Sequence, residues 1–186
     1  TTFNKRKIMR ILGINCLNHD AAVSVIENGK ILFAAHAERY SRKKNDMYLN
    51  DKIMKQAFSY GEPDKIAYYE RPWMKKTRQL YAGQFNEVFN LNNLPNNYLK
   101  PWLKGRKINY IDHHLSHAAA GYYTSKFNEA AILVIDGIGE WDVLTIWHGK
   151  GKDIKKIYSI KYPNSLGLFY SAATQAIGLK PCEEEY

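Results

Sequence analysis

Three of the six histidines, His113, His114 and His117, fall within five residues, directly behind Asp112 and at the start of an alanine-rich stretch. On a helix, His113 and His117 stand one turn apart, so both imidazoles project from one face and can converge on a cation. Imidazole is the commonest metal ligand among side chains. Zinc peptidases also pair histidines at this spacing, but they need a glutamate general base directly after the first. His114 occupies that position here, which disfavours peptide hydrolysis. Asp136 offers a third ligand, because it ends the apolar run AAILVID, where a carboxylate can face a cleft. Two histidines and one carboxylate with open positions suit iron(II) best and admit manganese or zinc. Read locally, the alternative stays open that His113 caps the helix and His114 packs in the core.

Two weaker features accompany this one. In DGIGEW, Gly137 and Gly139 follow Asp136 and can form a tight turn whose backbone amides approach phosphate. Taken locally, an ordinary β-hairpin is the simpler account. His19-Asp20 and Ser41-Arg42-Lys43-Lys44 occupy turns after the first and third expected strands. His19 has the chemistry of a general base near neutral pH, and Arg42 or Lys44 can neutralise a phosphate or polarise a carbonyl. Standing alone, they read as a surface histidine and a solvated basic turn.

The elements that must position these residues follow from periodicity and turn chemistry. Residues 9–16, 21–27 and 31–37 are β-prone, and Asn28-Gly29 joins the last two as a hairpin, giving an antiparallel meander. Residues 51–60 read as a helix capped by Asn50 or Asp51 and ended by Gly61. Strands are expected at 65–70 and 107–111. Between them, residues 71–105 form an insertion rich in asparagine, aromatics and lysine, with a helix at 78–89 broken by NLNNLP. A helix follows at 115–123. The continuous apolar run 130–136 predicts a strand buried on both faces. Strands at 143–148 and 154–162 and a helix at 166–177, closed by Gly178 and Pro181, complete the chain. The succession is α/β in character. It suggests a tag or short arm at 1–8, a first lobe at 9–128, and at 129–186 the beginning of a second lobe cut short before its sheet closes.

Composition narrows the function classes. No apolar run approaches the roughly 18 residues of a membrane span, and the polar, basic start does not resemble a secretory signal. Two distant cysteines, Cys16 and Cys182, make no CxxC pair, which fits a reducing compartment and the cytoplasm. The formal net charge is +9, concentrated in RPWMKKTR and KPWLKGRK. Such basic, tryptophan-bearing stretches can track nucleic acid, but neither belongs to a recognised binding module. Attraction for phosphorylated small molecules, or a solvated face, is the preferred reading.

Four stretches stand in order along the chain: RILGINCLNHDAAVSVIENGK, AERYSRKKND, YIDHHLSHAAAGYYTSKFNEAAILVIDGIGEW and NSLGLFYSAATQAIGLKP. Together they resemble the carbamoyltransferases that modify nodulation factors and antibiotics. The resemblance is weakest over 71–105 and most specific from Tyr110 to Trp141. It implies an actin-like, ribonuclease-H-like ATPase fold with a mixed sheet, related to the tRNA threonylcarbamoyl transferases. It implies a metal held by His113, His117 and Asp136 and completed by a carboxylate from later in the chain. His19 corresponds to the family's catalytic base, and Lys44 to the basic residue after its arginine motif. Full-length members use carbamoyl phosphate and ATP to make carbamoyl-adenylate in a carboxy-terminal domain. The metal-bearing domain then passes the carbamoyl group to a hydroxyl of a small molecule or oligosaccharide. On this reading the 186-residue stretch is inactive alone, with self-association left open. A tRNA threonylcarbamoyl transferase-like protein and a non-catalytic binding or assembly module are the competing readings.

Overall fold

The computed structural model describes residues 8–181 and Glu184; residues 1–7 of the expected arm, and Cys182, lie outside the described residues. In chain order the elements are β1 (Arg10–Asn15), β2 (Ala22–Glu27), β3 (Lys30–His36), α1 (Glu38–Ser41), α2 (Asp51–Ser59), β4 (Lys65–Tyr68), α3 (Pro72–Tyr81), α4 (Phe85–Phe89), a short 3-10 turn (Leu91–Asn93), α5 (Pro95–Tyr98), α6 (Lys100–Leu103), β5 (Ile108–Tyr110), α7 (His113–Thr124), β6 (Glu129–Ile135), β7 (Asp142–Lys150), β8 (Asp153–Lys161) and α8 (Leu166–Ala176). They group into two compact units, Thr1–Tyr69 with Phe85–Ile111, and Glu70–Gln84 with Asp112–Tyr186. Residues 70–84 and α7, which the sequence placed with the first lobe, thus group with the later strands.

The first unit is built on a mixed sheet in the order β3-β2-β1-β4-β5. β1, β2 and β3 form the expected antiparallel meander, while β4 and β5 run parallel to β1. Asn28 and Gly29 both adopt positive φ, 49° and 83°, as a two-residue hairpin matched to strand twist requires. Leu12, Ile14, Val23, Val25 and Ile66 are buried with Ile53, Met54 and Ala57, the apolar stripe of α2. That helix is capped by Asn50, whose side chain accepts the Lys52 and Ile53 amides. A meander followed by parallel strands reached through helical crossovers is the ribonuclease-H-like α/β arrangement that the resemblance implies.

In the second unit, β6, β7 and β8 form an antiparallel sheet. α7 packs on one face through Ala118, against Val134 and Trp147, with Leu115, Ile132 and Ile154 around them. The expectation that 130–136 is buried on both faces is not met. Only its even-numbered residues turn inward with Val134, while Leu133 and Ile135 remain 60% and 47% exposed. β6 is an edge strand of a three-stranded sheet, and period-2 alternation sends every second apolar side chain to the opposite face. The single helix expected at 78–89 is also corrected. Pro72, preset for the first helical turn, starts α3 early, and Gly83 at φ 71° separates it from α4. Among the described residues, no helix is long and apolar enough to cross a membrane.

Candidate functional site

The geometry begins at the amino end of α7. Asp112, not His113, caps the helix, its Oδ1 accepting the Leu115 amide at 2.9 Å. Capping leaves the His113 and His117 rings to share one face, with their Nε2 atoms 3.2 Å apart. Asp136 follows β6 and brings Oδ2 to 2.9 Å from His113 Nε2. One ligand atom from each of the three lies within 4.8 Å of the others. Asp136 Oδ1 accepts the Gly137 amide at 2.7 Å, whereas Oδ2 is buried and accepts no hydrogen bond among the described residues. Two imidazole lone pairs and a carboxylate oxygen aimed at one small volume repel one another unless a proton or cation lies between them. The donor set fits a divalent ion with open positions.

Without a metal the cluster has a definite protonation pattern. Burial opposes a charge on His113, but Asp136 and Glu70 outweigh it and raise its pKa to about 9. Burial likewise opposes ionised Asp136, yet His113 and His117 hold its pKa down at about 2. The His113 contribution to stability is complete below its ordinary value of 6.5 and is lost as pH rises through about 9. The Asp136 contribution is complete above 3.8 and is lost as pH falls toward 2. In the presence of a chelator, the urea midpoint is therefore expected to fall between pH 6.5 and 9. A flat or rising midpoint over that interval would show that the pair is not formed.

His114 is the core histidine of the local alternative. It is 1% exposed, its Nδ1 lies 2.8 Å from the Thr145 hydroxyl, and burial holds its pKa below the ordinary value. Gly139 serves the site by its lack of a side chain, because a Cβ there would stand 2.6 Å from Cδ2 of the His113 ring. Gly139→Ala is expected to displace that ring and to lower metal content at least as much as His117→Ala does. Metal analysis of purified protein checks this, and wild-type content would refute it. Gly137 donates its amide to Asp136 and accepts the Ser165 hydroxyl at 2.6 Å, which ties the glycine turn to the cap of α8.

Around the cluster lies a charged frame that sequence reasoning missed. Arg71 donates from its backbone amide and its guanidinium to Glu140, which is 4% exposed, and from Nη2 to Asp112 at 2.8 Å. Arg78, also buried, donates to the carbonyls of Glu140 and Gly139. Lys156 lies 2.5 Å from Asp142 and 3.5 Å from Asp112. Asp112, His113, Glu140, Asp142, Lys156 and Lys161 help to line a cavity of about 580 Å³. Glu70 and Asp112 each open a segment of the second unit, and Arg71 Nη2 bonds Asp112 across the two segments. The available signal was YYERP, an acid–base pair placed between an apolar strand and a proline.

His19, Arg42 and Lys44 belong to the first unit. Backbone bonds from Leu17 to Met47 and from Ala21 to Asp46 join the turn carrying His19 to the segment following Lys44. The two turns thus share one end of the meander. His19 is exposed and holds Nδ1 2.9 Å from Asp20 Oδ2. Arg42, at the left-handed end of α1, and Lys44 are exposed as well.

The chain is similar to several known proteins. The chain is 31% identical to protein sll1178 of Synechocystis sp., over 95% of its own length and 33% of that protein's. It is 26% identical to the nodulation protein NolNO of Sinorhizobium fredii, over 88% of its own length and 26% of the relative's. The chain thus spans about a third or less of the curated relatives it matches. Among solved structures, a Ppx/GppA protein of Aquifex aeolicus shares 16% identity at a TM-score of 0.44, covering 96% of this chain and 58% of that one. The model of the carbamoyltransferase N-terminus matches residues 10–100 and 102–186, a span that holds both the meander and the histidine cluster, and the chain belongs to that family.

Proposed function

We propose that the full-length protein transfers a carbamoyl group from carbamoyl phosphate, by way of carbamoyl-adenylate made with ATP, to a hydroxyl of a small-molecule or oligosaccharide acceptor. The observation that carries this reading is the convergence of His113, His117 and Asp136 ligand atoms within 4.8 Å in a chain of the carbamoyltransferase family. A divalent ion at this site, iron(II) by preference, polarises a carbonyl and neutralises phosphate charge when bound. His19 takes the acceptor proton. Its Nδ1 lies against Asp20, which leaves Nε2 for the hydroxyl. As that proton leaves, the acceptor oxygen bonds to the carbamoyl carbon and the bond to the adenylate phosphate breaks, releasing AMP. Lys44 and Arg42 supply positive charge for the departing phosphate, and the backbone of the turn at Gly137 and Gly139 is the contact for the nucleotide. The setting is the cytoplasm.

The test supplies the full-length protein with labelled carbamoyl phosphate, ATP and a panel of hydroxylated acceptors. Label is expected to reach an acceptor in the wild type. His113→Ala and His117→Ala are each expected to lose both metal and transfer while carbamoyl-adenylate still forms. Unchanged metal content and transfer in both variants would end the reading. Salt-sensitive tRNA binding without carbamoyl transfer would favour a threonylcarbamoyl transferase instead.

A further inference from the structure

We infer that Glu70, itself held by Lys75, is the positioning residue that fixes His113 as a metal ligand from the far side of its ring. The inference rests on the metal centre proposed above and extends it beyond the ligands. His113 turns Nε2 toward Asp136 and His117, at 2.9 and 3.2 Å. Its other nitrogen, Nδ1, lies 3.6 Å from Glu70 Oε2. That separation is an ion contact, longer than a hydrogen bond. Binding a cation through Nε2 requires the ring proton on Nδ1, and Nδ1 is the nitrogen facing Glu70. Ligating imidazoles almost always donate this second N–H to a carboxylate or carbonyl, which sets the tautomer and the ring orientation.

Burial strengthens the assignment. Glu70 is 3% exposed, and an ionised carboxylate out of water is costly unless it is partnered. Lys75, from the first half of α3, occupies Oε1 at 2.9 Å, leaving Oε2 to His113. Lys75 therefore aims Glu70 rather than competing with the ring for one oxygen. Gly139 closes the Cδ2 side of the same imidazole. The ring is thus bounded by a carboxylate at each nitrogen and by backbone beside Cδ2, and the carboxylate at Nδ1 comes from a segment more than forty residues earlier.

The experiment uses cobalt(II) and zinc as probes on the full chain. Glu70→Gln preserves shape and removes the charge. It is expected to weaken cobalt(II) binding about 10–100-fold in chelator competition, as loss of an outer-shell partner does, and to shift the visible spectrum of the bound ion. Wild-type affinity together with a wild-type spectrum would overturn the inference while leaving the metal centre standing. Should the variant fail to fold, the zinc-loaded wild type decides. A slowly exchanging, downfield ring proton on His113 Nδ1 is the expected signal, and its absence overturns the assignment. A wild-type chain that takes up neither probe removes the metal centre and, with it, the role given to Glu70.

Discussion

Asp136→Asn is expected to reduce metal uptake to background while leaving the fold in place. The amide oxygen can still accept the Gly137 amide now held by Oδ1 at 2.7 Å, so the turn after β6 keeps its local bond. What disappears is the only anionic group of the three converging ligands, the one whose buried Oδ2 lies 2.9 Å from His113 Nε2. The loss should exceed the roughly 10–100-fold that removal of an outer-shell partner costs. The same variant has a second, independent signature. Asp136 is among the groups that raise the His113 pKa to about 9 against the opposing effect of burial. With the carboxylate gone, Glu70 alone is left to oppose burial, and the His113 pKa should fall from about 9. Metal analysis and a histidine NMR titration in chelator read the two effects separately. Retained metal would remove Asp136 from the ligand set, and an unmoved titration would show that the ion contact does not form.

How much of this was legible beforehand depended on whether the signal was local. The meander was readable because Asn28-Gly29 specifies its turn and the flanking runs are strand-prone. The α2 cap was readable because Asn50 precedes an apolar stripe. The His113–His117 pair needed only helical spacing, and Asp136 needed only its position at the end of an apolar run. Misreadings arose where tertiary context decides. AAILVID has the composition of a doubly buried strand, but alternation along β6 turns Leu133 and Ile135 away from the face that α7 covers and leaves them exposed. Glu70, Arg71 and Glu140 are ordinary charges in sequence. Their roles arise only because segments some 70 residues apart in the chain converge, as in the bonds from Arg71 to Glu140. Hydrophobic periodicity carries no record of such pairings.

That long-range frame supports the largest stability effect expected here. Glu140 is 4% exposed and accepts both the backbone amide and the guanidinium of Arg71. Arg71 itself is 43% exposed in its side chain, so the penalty of separating the pair falls on the glutamate, which has little water to turn to. Removing one partner of a buried ion pair typically costs about 3–5 kcal/mol. Solvent at Arg71 places Arg71→Met near the lower end, about 3 kcal/mol. Replacing both charges by apolar groups leaves no stranded carboxylate, so Arg71→Met with Glu140→Leu should cost less than Arg71→Met alone. A double-mutant cycle in urea therefore ought to show strong non-additivity, and additive losses would mean that the pair contributes nothing as a unit. Arg71 also bonds Asp112, the cap that sets the start of α7. Metal affinity in Arg71→Met should accordingly fall, but less than in Asp136→Asn, because Lys156 still lies 3.5 Å from Asp112 and the three converging side chains are all retained.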